Sequence, residues 1–182
     1  MTTKTGFPPI ADKDATVLIL GSMPGEASLK HNQYYGHPQN KFWFIMSEIL
    51  DFDPVITYME RQQAIKNAGI AIWDVLESCQ RKGSLDSSII DTSVITNDFE
   101  SFYLRHEKIA HVFFNGTRAE KEYEKHVIPE LSPAHRHIKY HRLPSTSPAM
   151  AMLSKEAKLA EWKMIGKYIT VREIRNALCN TG

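Results

Sequence analysis

The sequence is poor in cysteine and has no long apolar run. Its 182 residues include only two cysteines, Cys79 and Cys179, which lie far apart and form no C-x-x-C pair. Two thiols are too few for a four-thiolate zinc or iron–sulfur centre, and such scarcity is typical of a reducing compartment. The N-terminus lacks the apolar segment of a signal peptide, and no stretch is long enough to span a bilayer. We therefore expect a cytoplasmic protein that does not contact membranes.

Signatures of several enzyme classes are also missing. The sequence contains no G-x-x-x-x-G-K-[ST], which argues against that type of phosphate-binding loop, and no G-x-S-x-G, which argues against a serine hydrolase. The lack of H-E-x-x-H and of C-x-x-C argues against a catalytic metal. We expect neither a cofactor nor a metal ion.

Charge of one sign is not in excess, because the net charge is +1. This value does not exclude nucleic acid as a partner, since a local basic patch is enough. The composition, 42% hydrophobic and 24% charged, is that of an ordinary globular protein, and the length suits one domain with a substantial core. We predict a single domain over residues 1–182, in which residues 1–14, with two adjacent prolines and little apolar pattern, form an N-terminal arm.

Signals for strands and helices alternate along the chain. Continuous apolar runs predict four strands, at residues 16–20, 70–75, 111–114 and 138–143, and amphipathic patterns predict helices that begin near Asn40, Thr57, Asn97, Thr117 and Ser154. Residues 80–88 are polar and contain glycine, which predicts a loop. This alternation predicts an α/β fold, namely a three-layer α/β/α sandwich with a central, mostly parallel four-stranded sheet.

Small and polar residues follow each predicted strand. The turn at residues 21–25 (G-S-M-P-G) follows the first strand, Asp74 lies near the end of the second, Asn115 follows the third, and residues 144–148 follow the fourth. Ligands of open parallel sheets bind at the carboxyl ends of the strands, so these residues mark the expected site. A carboxylate inside an apolar strand is costly unless it is exposed or paired, and we therefore expect Asp74 to face this edge.

The polar residues between this turn and the next helix have two interpretations. Tyr34, Tyr35 and Asn40 could form a pocket for a flat heterocycle, with an aromatic face for stacking and an amide for directed hydrogen bonds. On spacing alone, the commoner interpretation of Asn40 is the N-cap of the following helix. The two tyrosines could equally belong to the core.

The second candidate segment, residues 143–149 (L-P-S-T-S-P-A), is rigid and rich in hydroxyls. Its hydroxyls and amides suit phosphate oxygens, although an ordinary loop before the last helix fits as well. The preceding window, residues 135–142, is the most basic in the chain. A strand there would place His135, His137, Lys139 and His141 on one face, for which a solvated surface is the default, attraction to phosphate the next interpretation, and metal binding is disfavoured.

These stretches together resemble the uracil-DNA glycosylase superfamily. Residues 21–25 and 34–43 (Y-Y-G-H-P-Q-N-K-F-W) are similar to its first motif and residues 143–149 to its second, while residues 70–76 and 83–86 complete the match between them. The first motif is most similar to the hypoxanthine-DNA (deoxyinosine) glycosylase branch, and a related G:U/T mismatch branch has a similar H-P-x-N-R-F-W ending. The resemblance covers roughly residues 16–165.

The resemblance implies a monofunctional DNA glycosylase of base-excision repair. Such an enzyme flips a deaminated base out of the helix and hydrolyses its N-glycosidic bond. Its partner would be double- or single-stranded DNA that contains a deaminated base, most of all hypoxanthine, and we expect a monomer. A uracil or G:U mismatch glycosylase of the same superfamily and a non-catalytic damaged-DNA-binding module are the alternatives.

The same resemblance implies roles for individual residues. Asn40 would position the attacking water, assisted by Glu26, His37 or Asp74, and Tyr35 would stack on the flipped base. The base pocket would be lined by Ser22, Met23, Pro24, Gly25, Tyr35, Asp74 and Asn115. The DNA contacts would come from Arg142, Ser145, Thr146, Ser147, Pro148, Ala149 and Met150. Met150 replaces an expected polar or histidine residue and could serve as an apolar wedge.

Overall fold

The computed structural model describes residues 3–169, so Cys179 lies outside the described part of the chain. The strands are β1 (Thr3–Thr5), β2 (Val17–Gly21), β3 (Ile70–Asp74), β4 (Leu76–Gln80), β5 (Ile95–Thr96), β6 (His111–Asn115) and β7 (Lys139–Leu143). The α-helices are α1 (Glu26–His31), α2 (Phe42–Leu50), α3 (Tyr58–Asn67), α4 (Phe99–Arg105), α5 (Thr117–His126) and α6 (Lys155–Trp162). Within these residues, no helix is long and apolar enough to cross a bilayer.

A four-stranded parallel sheet forms the centre of the protein, in the order β3-β2-β6-β7. Every residue of β2 and β3 is buried, which explains why both strands are continuous apolar runs without polar alternation. The four strands are those that the sequence predicts, to within a residue or so at each end. The predicted α/β class with a parallel sheet is confirmed.

Helices cover both faces of this sheet. Phe113 and Phe114 are neighbours in β6, and their side chains point to opposite faces. The ring centroid of Phe113 lies 5.8 Å from that of Tyr168, beyond the 3₁₀ helix that continues α6, whereas the ring centroid of Phe114 lies 5.2 Å from that of Tyr123 in α5. The sheet therefore lies between two helical layers.

A second, antiparallel sheet of order β1-β4-β5 differs from the sequence prediction. Residues 1–14 are predicted as an arm without strands, yet Thr3–Thr5 pairs with Ser78–Gln80, and Ile10 forms a bridge with Ile72 of the central sheet. The prediction also has no strand at β4 or β5. These strands are short and largely polar, so backbone hydrogen bonding rather than an apolar pattern defines them.

Helix starts are mostly where the sequence predicts them. Thr57 forms a capping box with Glu60, and the side chains of Asp98 and Ser154 accept N–H bonds from the first turns of α4 and α6. Thr117 and Glu120 have the spacing of a capping box, but no such box forms, because Thr117 is already the first residue of α5 and Gly116 occupies the N-cap without a side-chain bond.

The predicted histidine face is also wrong. Strand β7 begins only at Lys139, and His135 lies before it in a 3₁₀ helix. There the buried His135 ring has its Nε2 3.2 Å from Oε1 of Glu100. Tertiary pairing with a carboxylate therefore removes this histidine from any shared strand face.

Candidate active site

A cavity of about 380 Å³ lies at the carboxyl edge of the parallel sheet. The last residues of three neighbouring strands, Gly21, Asp74 and Asn115, form part of its wall. Its other walls are the segment that carries Tyr35 and Asn40, the loop at residues 84–87 and the loop at residues 145–150. This volume falls in the range of roughly 300–1,000 Å³ found for small-molecule sites. Two motifs that are far apart in the chain thus border one space.

The adjacent tyrosines have different environments. Tyr34 is 3% exposed and belongs to the core, and its hydroxyl lies 3.2 Å from the carbonyl oxygens of both Phe7 and Pro8, although part of this residue also borders the cavity. Tyr35 borders the cavity and stacks on Phe42 with the ring centroids 3.8 Å apart.

Tyr35 also has a backbone φ of 54°, which is unfavourable for a residue with a Cβ. Its hydroxyl is buried and has no hydrogen-bond partner among the described residues. Burial, together with the nearby charge of Asp74, raises the pKa of the Tyr35 phenol above its usual value, so this hydroxyl stays protonated. Tyr35 therefore presents a neutral O–H group at the cavity wall.

Asn40 lies on the cavity wall and also stabilises the start of α2. Its Oδ1 accepts a hydrogen bond of 2.9 Å from the backbone N–H of Phe42, while Lys41 occupies the N-cap position itself. The prediction that Asn40 caps α2 is therefore correct for the hydrogen bond, although Asn40 lies one residue before the N-cap position. Because a carbonyl oxygen has two lone pairs, the bond to Phe42 orients the amide and leaves a second acceptor position.

Asp74 is buried at the base of the cavity, and its Oδ2 has no hydrogen-bond partner among residues 3–169. Burial raises the pKa of this carboxyl to about 7, and the negative charge of Asp86 adds to the rise while Arg81 opposes it. Asp74 therefore changes its charge near neutral pH. A buried polar atom without a partner is expected where a ligand or water completes the site.

Asp86 and Arg81 form a polar network that sequence reasoning did not assign to the site. Oδ1 of Asp86 accepts a 2.7 Å hydrogen bond from the hydroxyl of Ser22 and lies 4.0 Å from Nη1 of Arg81. Arg81 is 1% exposed, and its Nη2 donates a 2.5 Å hydrogen bond to the carbonyl of Pro24. The buried Arg81 guanidinium thus stabilises the turn at residues 21–25 through its bond to Pro24. The sequence feature that could have indicated this network is Arg81, which lies two residues before the G-S-L-D segment at residues 83–86.

Asn115 links the central sheet to the second motif. Its Nδ2 donates to the hydroxyl of Thr146 at 2.9 Å, and its Oδ1 accepts from the backbone N–H of Thr146 at 2.8 Å. Gly116, with φ of 99°, allows this close packing, because a Cβ there would lie 2.9 Å from the Cβ of Ser145. Thr146 has no exposed surface, so the DNA contact predicted for it would require the loop to open.

The other predicted DNA-binding residues are divided between the cavity rim and a separate surface. Pro148, Ala149 and Met150 are exposed at the rim, whereas Ser145 and Ser147 line the cavity and are half-buried. Arg142 does not line the cavity and forms an ion pair of 2.9 Å with Glu120.

The three candidate partners of Asn40 are not equivalent. Asp74 and His37 line the cavity, but Glu26 does not, and its carboxylate lies 3.8 Å from Nζ of Lys4. The ring Nδ1 of His37 accepts a hydrogen bond of 3.1 Å from the N–H of Gln39. Across residues 3–169, no three His, Cys, Asp or Glu side chains are grouped closely enough to hold a metal ion.

Comparison with known proteins gives consistent matches over most of the chain. The family described as the uracil DNA glycosylase superfamily matches residues 8–166. A hypoxanthine DNA glycosylase of Methanosarcina barkeri is 39% identical over 122 residues, which are 66% of this chain and 75% of the relative. A hypoxanthine DNA glycosylase of Methanosarcina acetivorans is 33% identical over 168 residues, which are 91% of this chain and 99% of the relative.

A solved structure agrees with these sequence matches. The solution NMR structure of a protein from Methanosarcina acetivorans, described as a candidate uracil DNA glycosylase, superimposes with a TM-score of 0.75 and 31% identity. The superposition covers 91% of this chain and 98% of the other. With the family match over residues 8–166 and both motifs at one cavity, the chain belongs to the uracil DNA glycosylase superfamily.

Proposed function

We propose that this protein is a monofunctional DNA glycosylase that removes deaminated bases, with hypoxanthine in deoxyinosine as the main substrate. The observation that carries the proposal is the cavity in which Tyr35, Asn40 and Asp74 lie between the two motif loops. The relatives that cover most of this chain bear the name hypoxanthine DNA glycosylase. The glycosidic carbon is inaccessible in the stacked duplex, so the nucleotide must be flipped into this cavity.

Recognition in this proposal depends on the N–H group that deamination creates. Hypoxanthine carries a proton on N1 where adenine has a lone pair, and uracil carries one on N3 where cytosine has a lone pair. The ionised carboxylate of Asp74 would accept this N–H and repel the lone pair that adenine or cytosine has in its place. Tyr35, backed by Phe42, would supply the stacking surface.

Hydrolysis breaks the bond between C1′ and the base nitrogen, and the electron pair leaves with the base. Asn40 would use its second acceptor position to orient a water toward C1′, since an amide does not titrate and cannot remove a proton fully. Most of the acceleration would come from groups that stabilise the anionic base as it leaves. The water supplies hydroxide to C1′, and its proton neutralises the departing base through solvent.

The residues exposed at the rim of the cavity are those that would contact DNA. Pro148, Ala149 and Met150 are exposed beside the cavity and would enter the gap left by the flipped nucleotide. We propose a monomer in the cytoplasm that acts on DNA containing a deaminated base in single or double strands. A mispaired hypoxanthine costs less to flip than a paired base, which favours damaged sites in duplexes.

The test is an excision assay with end-labelled oligonucleotides that contain deoxyinosine, deoxyuridine or only normal bases, each as duplex and as single strand. Alkali converts abasic sites into strand breaks that a gel resolves. Breaks at deoxyinosine above those at deoxyuridine are expected.

The other outcomes separate the alternatives. Greater cleavage at deoxyuridine would identify a uracil glycosylase, a possibility favoured by the description of the structural neighbour. Specific binding of damaged duplex without breaks at either base would identify a non-catalytic binding module. An Asn40→Ala protein, purified in the same way and expected to be about 100-fold slower, controls for contaminating glycosylases.

A further inference from the structure

A second cavity, of about 270 Å³, lies on the other side of the 147–150 loop. Ser147, Pro148 and Met150 line both this cavity and the base cavity, so a single stretch of loop separates the two. No role for this second cavity follows from the excision chemistry described above.

Three lysines, Lys41, Lys155 and Lys158, line the second cavity, and no carboxylate is among its described lining residues. Lys158 is 3% exposed, and its Nζ donates a 2.6 Å hydrogen bond to the carbonyl of Met150. Lys155 has its Nζ 4.7 Å from the ring centroid of Phe44 and 3.8 Å from the exposed carboxylate of Glu156. The cavity is therefore lined by cations with little local compensation.

Three lysines that line one cavity repel each other, which costs free energy unless an anion binds between them. Burial lowers the pKa of Lys158, and repulsion by the positive charge of Lys41 lowers it further. Two helices also begin here, because Lys41 is the N-cap of α2 and Lys155 is the first residue of α6. Helix N-termini add partial positive charge in the same region.

We propose that this lysine cavity binds a phosphodiester of the damaged DNA strand next to the flipped nucleotide. The inference rests on the proposed glycosylase function and adds a binding site for the DNA backbone. The shared loop explains why the same strand is bound: a nucleotide whose base enters the first cavity carries its backbone across residues 147–150, and the adjoining phosphate then lies over the second cavity. Point-like ammonium groups suit this contact because it requires charge rather than base recognition.

The test measures binding to duplexes that contain a tetrahydrofuran abasic-site analogue, which the enzyme cannot cleave. The variants are Lys41→Ala, Lys155→Ala and the double variant, and Lys163→Ala, an exposed lysine that lies outside the cavity, is the matched control. Each single substitution of a cavity lysine by alanine should weaken binding by about 3- to 10-fold at 0.1 M salt. It should also reduce the magnitude of the slope of log K against log salt by about 0.9. Lys163→Ala should leave both quantities unchanged.

A scan with single methylphosphonate linkages locates the contact. Replacing one phosphate near the analogue by a neutral methylphosphonate should weaken binding of the wild-type protein. The same replacement should have a clearly smaller effect on the double variant, in which only Lys158 remains in the cavity. The inference would be overturned if the methylphosphonate effect were the same for the wild-type protein and the double variant at every scanned linkage. An unchanged salt slope in the lysine variants would overturn it as well.

Lys158 needs a separate variant because it also holds Met150. Lys158→Arg keeps the charge and should retain the methylphosphonate effect, whereas Lys158→Met should reduce it. Thermal melting identifies any loss of folding. If excision of hypoxanthine is intact while no lysine couples to a phosphate, this inference fails alone. If neither excision nor binding at the analogue is detected, the proposed function fails instead.

Discussion

Gly21 and Asp74 are register partners at the ends of β2 and β3, and the carboxylate of Asp74 occupies the space that a Cβ on residue 21 would need. The hydroxyl of Tyr35 lies 3.3 Å from the same position. The absence of a side chain at residue 21 therefore leaves room for both the Asp74 carboxylate and the Tyr35 phenol beside the end of β2. This relationship connects the glycine of the first motif to the chemistry of the pocket.

Replacing this glycine should disable the site without unfolding the protein. In Gly21→Ala, the new methyl group must displace the Asp74 carboxylate, and misplacement of a reacting or binding group by about 1 Å costs about 100-fold in rate. Single-turnover excision of hypoxanthine measures the effect. Gly166→Ala is the control, because a Cβ at Gly166 meets no atom within 4 Å. Equal rates for the two variants would contradict the assigned position of Asp74.

Asn40→Ala separates the capping role from the catalytic one. Loss of the bond to the Phe42 N–H should lower stability by about 1 kcal/mol, and loss of the water-orienting oxygen should lower single-turnover excision by about 100-fold or more. Thr57→Ala removes the cap of α3 at a site outside the cavity and should cost similar stability with unchanged excision. If both variants lose only stability, Asn40 is a helix cap and nothing more.

Excision should depend on pH through Asp74. The pKa of this carboxyl is about 7, and the ionised form is the one that accepts an N–H from the base, so the rate should rise as pH increases through about 7. The Asp74→Asn variant should lose this inflection and discriminate less against adenine. A rate that falls over the same range would show that the protonated acid is the active form.

The same carboxyl should affect stability in the opposite direction. Between about pH 4 and pH 7 the unfolded state has an ionised Asp74 while the folded state keeps its proton, so folding takes up a proton. This contribution to the free energy of unfolding is complete below about pH 4 and is lost as pH rises through about 7. Urea unfolding of the wild-type and Asp74→Asn proteins from pH 4 to pH 8 measures the free energy of unfolding of each. The wild-type value should fall relative to that of Asp74→Asn as the pH rises across this range. A constant difference would contradict the raised pKa.

Arg81 should act on the site without touching the base. Its positive charge lowers the pKa of Asp74, so Arg81→Met should move the inflection of the excision profile to higher pH, and the loss of the Pro24 bond should slow excision at every pH. Arg81→Lys keeps the charge and should restore the position of the inflection more than the rate. Arg105→Met, at an exposed position in α4, is the control. A slower rate with an unmoved inflection would limit Arg81 to a structural role.

The sequence by itself determined the central sheet and the place of the site. Buried parallel strands require continuous apolar runs, as in Val17–Gly21, and the residues that follow such strands meet at one edge. For the same reason the sequence alone predicts that Asp74, a carboxylate at the end of an apolar strand, faces the cavity. Local capping chemistry likewise indicated the start of α3 at Thr57.

Only the tertiary structure decided which polar groups interact across long stretches of chain. Tyr34 and Tyr35 are indistinguishable in sequence, and packing buries Tyr34 almost completely while Tyr35 stays partly exposed beside the cavity. Arg81 supports the first motif through a buried hydrogen bond to Pro24, and Thr146 is held by Asn115, although no local pattern pairs these residues. The short strands β1 and β5 depend on backbone pairing with β4 rather than on their own composition. Periodicity reports burial along one segment, whereas hydrogen-bond partners and electrostatic neighbours are set by the arrangement of segments in space.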